Sequence, residues 1–152
     1  MSGIDSSLMR ATIGGAATVL LLCAGLAAGE EKRIDPPSGK EPGGSQGRGV
    51  LVDGVLHVPG QGGEDANGKI PGAFEAEVKQ ALDNVGVVLK EAGMSPADVV
   101  TVQVYVTDGA LLPRMNVVYT RYFQAPRPIR TAVVAARLER PGNIEITATA
   151  KK

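Results

Sequence analysis

The chain closes on two β-patterned runs, and the difference between them limits the fold more than any other feature. Within Pro128 to Leu138, the stretch from Ala132 to Ala136 is apolar on both parities. Ala132, Val134 and Ala136 share one face, and Val133 and Ala135 the other. From Asn143 to Ala150 it alternates. Ile144, Ile146, Ala148 and Ala150 share one face, and Glu145, Thr147 and Thr149 the opposite one. Side chains of a strand alternate across its sheet, so the second pattern needs one covered face and the first needs two.

The rest of the chain supplies cover for one face only. Val50-Leu51-Val52 and Val55-Leu56-His57-Val58 flank Asp53-Gly54, which predicts a two-residue hairpin. A Gly-rich loop follows from Pro59 to Lys69. Phe74, Val78, Ala81, Leu82, Val85, Val88 or Leu89, and Ala92 then recur at helical spacing, predicting an amphipathic helix over 71–92 with Gly93 as its stop. Ser95-Pro96-Ala97-Asp98 reads as a capped helical turn. Val100, Val102, Val104 and Val106 alternate with polar residues as in a half-buried strand. A second helix is expected from Ala110 to Phe123, with Leu111, Met115, Val118 and Tyr122 on one side. The order is β, β, α, β, α, β, β: an α+β mixed sheet with two helices on one face. Another subunit is the natural cover for the second face, which puts Glu145 at a subunit interface.

Composition narrows the chemistry. Sixteen basic and sixteen acidic residues cancel in 152 residues, and no basic cluster stands out, so nucleic acid is not an expected partner. Aromatics are 3% and Trp is absent, which removes base-stacking platforms. One Cys and one His exclude an internal disulfide and the usual zinc sites. No metal or organic cofactor is expected. Chemistry falls to Arg, carboxylates, hydroxyls, backbone groups and water.

Residues 1–29 stand apart. Arg10 precedes an uncharged run from Ala11 to Gly29, with Val19-Leu20-Leu21-Leu22 inside it and small residues before Glu30-Glu31. This order describes a signal peptide, and a periplasmic or secreted protein, with cleavage after Ala27 or Gly29. The alternative is an uncleaved membrane anchor, since the run approaches the ~20 residues that span a bilayer. Residues 30–49 are rich in Gly, Pro, Ser and charge and read as a flexible linker, with the domain at 50–152. Gly43-Gly44-Ser45-Gln46-Gly47 fits the G-x-S-x-G nucleophile elbow, but the elbow needs a strand before it and a helix after it, and here it leads into a strand.

Two residues carry the functional expectation. Arg130 is placed by Pro128 at the start of its strand, and its planar fork suits a small carboxylate held by two parallel hydrogen bonds. Glu145 stands as a lone acid between two isoleucines on what is expected to be the adjoining strand. Asn116 and Tyr119 read as capping and packing residues of the second helix. Arg137 has the opposite parity to Arg130 and reads as surface or interface structure.

In this order and spacing the segments resemble the RidA (YjgF) family of small trimeric proteins. The matching stretches are Val50 to Gly54 with Gly60-Gln61, Gln80 to Asn84 and Leu89 to Gly93. Asp98 to Val100, Tyr105 to Asp108, Met115 to Phe123, the Arg130 strand and Ile144-Glu145-Ile146 complete them. The resemblance covers 50–152. It implies a chorismate-mutase-like fold, a homotrimer with clefts between neighbouring subunits, and hydrolysis of reactive enamines and imines. The implied substrates are 2-aminoacrylate, 2-iminopropanoate and 2-iminobutanoate, which become 2-keto acids and ammonia. It assigns Arg130, Ala132 and Gly60 to substrate binding and Glu145 to water positioning and proton transfer. A Gly-Pro-Tyr-Ser motif is usual before the first strand, and the nearest segment here, Pro42-Gly43-Gly44-Ser45-Gln46, lacks its Tyr. Ala132 stands where a cysteine is frequent, and Pro59 replaces the usual Ser of Ser-Gly-Gln. A non-catalytic trimer that binds small carboxylates, or acts as a holdase, is the alternative reading.

Overall fold

The computed structural model describes residues 31–34 and 49–152. The signal-peptide or anchor segment, the Gly43–Gly47 motif and most of the expected linker lie outside the described residues. One part of the linker expectation is corrected. Glu31–Ile34 is strand β1, antiparallel to β2 (Gly49–Val52), and Ile34 is buried in the core. Its single large apolar residue follows three charged ones, too short a signal to read as a strand among glycines and prolines.

β2 turns into β3 (Val55–Gly62) through Asp53 and Gly54, both at positive φ (50° and 75°), the backbone that a tight hairpin requires. Helix α1 (Phe74–Glu91) follows. It ends in a left-handed Gly93, with Met94 N–H reaching the Leu89 carbonyl (2.8 Å) and Gly93 N–H the Lys90 carbonyl (2.9 Å). A single 3₁₀ turn at Pro96–Asp98 is capped by the Asp98 carboxylate, which accepts from the Ser95 backbone N–H (2.7 Å) and hydroxyl (3.0 Å). Then come β4 (Val99–Val106), a second 3₁₀ turn (Gly109–Leu111), α2 (Leu112–Tyr122), β5 (Ile129–Val134) and β6 (Ile144–Lys151). Pro113 sits at the first helical positions of α2, which is why that helix starts later than its apolar pattern suggests.

The six strands form one mixed sheet in the order β1-β2-β3-β6-β4-β5. β5 runs parallel to β4, and the other pairs are antiparallel. The core lies between the sheet and the two helices. Leu56, Val58, Val102, Val104, Val106, Ile144, Ile146 and Ala148 meet Val78, Leu82, Val85, Leu89, Met115 and Phe123 there. Among the described residues no helix covers the opposite face, where Gln103 and Thr131 are exposed and Glu145, Thr147 and Thr149 half-buried. β5 is exposed along its whole length, with Ile129 at 73%, Val133 at 40% and Val134 at 53%. An apolar edge strand left so bare is the surface on which a neighbouring copy is expected to pack.

The strand order overturns one expectation. Arg130 and Glu145 are not on adjoining strands, because β4 runs between β5 and β6. The loop after β5 carries the chain past β4 before it returns as β6, a crossing that residue patterns on separate strands do not reveal.

Candidate functional site

Register fixes which face each candidate occupies, since directly paired residues point the same way. Arg130 pairs with Val102 and Ala132 with Val104, so both belong to the helix-covered side. Glu145 pairs with Tyr105 and with Gly62, on the open side. The four sequence-derived site residues therefore separate into two pairs.

The first pair sits where β5 passes under α2. Arg130 Nη1 donates to Asn116 Oδ1 at 2.7 Å and lies 3.9 Å from Met115 Sδ. The guanidinium is 4.7 Å from the centre of the Tyr119 ring, over its face. One hydrogen bond and one stacked ring set the plane of the fork while the residue stays exposed. Ala132, two positions on and facing the same way, is also exposed and adds only a methyl group beside the fork. Asn116 and Tyr119 thus do more than capping and packing. Burial raises the Tyr119 hydroxyl pKa, partly offset by the charges of Arg130 and Arg127. Their spacing on α2 puts both on the turn that looks along β5 at Arg130, but only strand placement identifies that target.

The second pair is Glu145 with Gly60. β3 carries a bulge between Val58 and Gln61, and Gly60 lies within it. A Cβ at Gly60 would overlap the Glu145 carboxylate, so glycine is required there for the acid to lie against the β3 backbone. Glu145 is half-buried, with Tyr105 directly across on β4. The Tyr105 hydroxyl donates to Gln103 Oε1 at 2.7 Å on the same face. Gln61 Nε2 folds back to the Pro59 carbonyl (3.0 Å) and steadies the bulge.

α1 holds this second pair from beneath. Asn84 Nδ2 donates to the carbonyls of Gly62 (2.9 Å) and Glu64 (3.0 Å), tying down the loop that leaves β3. Seven residues earlier on the helix, Glu77 binds the start of β6 at Asn143 and Ile144. Neither residue is assigned a site role by its sequence pattern, although polar side chains at i and i+7 within the apolar stripe are a legible exception to it.

Arg130 and Glu145 cannot serve one small ligand from a single chain. They are two strand spacings of about 4.8 Å apart across the sheet and three rises of about 3.3 Å apart along it, a backbone separation of about 14 Å. They also point to opposite faces. A carboxylate on Arg130 and a reacting carbon beside Glu145 meet only if the two side chains come from different copies.

Comparison with known proteins agrees with the fold and the residue pattern. The family described as Endoribonuclease L-PSP matches residues 41–152. A bovine protein named 2-iminobutanoate/2-iminopropanoate deaminase is 42% identical over 103 residues, covering 66% of this chain and 75% of the relative. The human protein of the same name is 37% identical over 115 residues, covering 73% and 84%. The solved structure of a putative endoribonuclease from Thermotoga maritima superposes with a TM-score of 0.74 at 33% identity, covering 80% of this chain and 97% of that one. The YjgF gene product of E. coli gives 0.74 at 29% identity, covering 80% and 98%. With the mixed six-stranded sheet, the two helices and the arginine and glutamate strands all in place, the chain belongs to the RidA (YjgF) family, the Endoribonuclease L-PSP family of proteins.

Proposed function

We propose that this chain forms a homotrimer that hydrolyses reactive 2-imino acids, and the enamines from which they tautomerise, to 2-keto acids and ammonia. The substrates are 2-aminoacrylate, 2-iminopropanoate and 2-iminobutanoate, the last two being those named for the bovine and human relatives. The observation that carries this reading is the Arg130 fork, oriented by Asn116 and Tyr119 and exposed as the one charge on the edge strand β5.

Arg130 of one subunit holds the substrate carboxylate, and Glu145 of its neighbour handles water. The water oxygen adds to the imine carbon while a water proton passes to the Glu145 carboxylate. The C=N electron pair moves to nitrogen, which is protonated. In the resulting carbinolamine the amine takes up the proton held by Glu145, the C–N bond breaks with its own electron pair leaving on ammonia, and the hydroxyl proton passes to the carboxylate as the carbonyl of the keto acid forms. Positioning supplies much of the acceleration, because the carboxylate anchor places the imine carbon against the held water.

The test is release of keto acid from freshly generated 2-aminoacrylate. Arg130→Ala should abolish pyruvate binding and turnover together, a loss of roughly 2–4 kcal/mol, or about 30- to 1000-fold. Arg130→Lys should also be poor, since an ammonium lacks the two-point planar contact. Glu145→Gln should lower turnover and leave pyruvate binding within about threefold, because it keeps shape but not the proton acceptor. Unchanged pyruvate binding in Arg130→Ala removes the site. Binding without turnover in the parent chain favours the non-catalytic carboxylate binder.

A further inference from the structure

Among the described residues Glu77 is the one charged residue buried as a whole, 2% exposed. A carboxylate at that depth is kept only by close partners. Its Oε1 accepts the backbone N–H of Asn143 (2.5 Å) and of Ile144 (3.3 Å), and its Oε2 accepts from Asn143 Nδ2 (3.2 Å). Two glycines make room for it. A Cβ at Gly142 would lie 2.7 Å from Oε1, and one at Gly63 would lie 2.8 Å from the Glu77 carbonyl oxygen. Gly142 also has a φ of 120°, a conformation that other residues rarely take. The acid thus spans from the loop after β3 to the first residues of β6.

We infer that Glu77 is the positioning residue for Glu145, setting through the Asn143 and Ile144 amides where the Glu145 carboxylate lies over Gly60. This rests on the reading of Glu145 as the water-handling acid. Glu145 follows Ile144 directly, so any slip of the held amides moves the carboxylate. Asn84, two turns along the same helix, fixes Gly62, which is the residue paired with Glu145 from the other side. Helix α1 therefore sets both walls of the Glu145 site from the opposite face of the sheet.

What matters on this account is the position of an acceptor oxygen, not its charge. Glu77→Gln keeps an oxygen at the same reach for both amides. Glu77→Asp keeps the charge but withdraws it by one methylene, and is less exposed to a folding failure than Glu77→Ala. Turnover should fall about ten- to a hundredfold in Glu77→Asp, with KM and pyruvate binding within about threefold, as a misplaced catalytic group predicts. Glu77→Gln should return kcat to within about threefold of the parent. Amide exchange at Asn143 and Ile144 should accelerate in Glu77→Asp alone, and the ¹³C resonance of the Glu145 carboxylate should move with it. If Asp serves and Gln fails, or if binding and turnover fall together in both, the inference is overturned. A parent chain with no turnover would refute the deaminase reading, and Glu77 is then judged on the exchange and ¹³C measurements. Unchanged values in Glu77→Asp would refute the positioning role.

Discussion

Placing Arg130 and Glu145 on opposite faces of one sheet makes a quantitative prediction about mixed assemblies. Arg130→Ala lacks the carboxylate anchor and Glu145→Gln lacks the proton acceptor, so trimers of either variant alone should be nearly inactive. In a cyclic trimer each cleft takes Arg130 from one subunit and Glu145 from the next. Random co-assembly of equal amounts of the two variants leaves a cleft intact when its arginine comes from the Glu145→Gln chain and its glutamate from the Arg130→Ala chain, about one cleft in four. Mixed trimers, freed of the inactive homotrimers, each hold one intact cleft in three, so their turnover should recover to about a third of the parent value per chain, with KM unchanged because the restored clefts are complete. The two variants are co-expressed with different tags and purified through both. Native mass spectrometry then confirms mixed trimers before keto-acid release is measured. Were one chain to carry a whole site, every chain in the mixture would still be defective. Confirmed mixed trimers that show no recovery would refute the divided site, and a stable monomer at micromolar concentration would remove its premise.

Further outcomes follow from the helices and from the N-terminal segment. Burial, and secondarily the Asp83 charge, push the Tyr122 hydroxyl up to about 12, so alkaline difference spectra should show tyrosine ionisation well above the ordinary value of about 10. The protonated form is favoured in the folded state, so stability should decline as pH rises from about 10 towards about 12, measured by denaturant midpoints; no decline in that window would place the hydroxyl in solvent. Cell fractionation with N-terminal sequencing should find a mature exported chain beginning near Ala28 or Glu30. A membrane-held chain starting at Met1 would instead support the anchor.

Much of the fold was legible because the sequence states it locally. The Asp53-Gly54 hairpin, the apolar stripe of α1 with its Gly93 stop, the Ser95 capped turn and the Val102-Val104-Val106 alternation each depend on residues close in sequence, although Val100, expected in the same row, is exposed because the β4 register shifts between Val99 and Thr101. β1 was not legible, because its place in the sheet depends on pairing with β2 across a glycine-rich stretch, and only Ile34 enters the core. Arg130 and Glu145 were legible as unusual residues on apolar strands. Their mutual geometry was not, because the crossover that puts β4 between them is a property of the whole sheet. Asn116 was misread for the same reason: its role appears only when β5 is laid beside α2.

The separation of the site has a physical origin in the strand patterns. β6 lies inside the sheet, between β3 and β4, and its open face can carry an acid because water or a neighbouring copy can solvate it there. β5 is an edge strand that α2 touches without burying, so it can present an arginine on the helix side without burying the charge. An acid on the helix-covered side of β6 would have replaced Ile144 or Ile146, both nearly inaccessible, and would have faced the apolar core. An arginine on the open side of β5 would have lost Asn116 and Tyr119, the two groups that hold its plane. Each charge stands on the face where the fold can support it, and those faces meet only across a subunit boundary. On this reading, trimer formation is the step that completes the chemistry, and residues that hold the edge of β5, such as Ile129 and Val133, control activity without touching substrate.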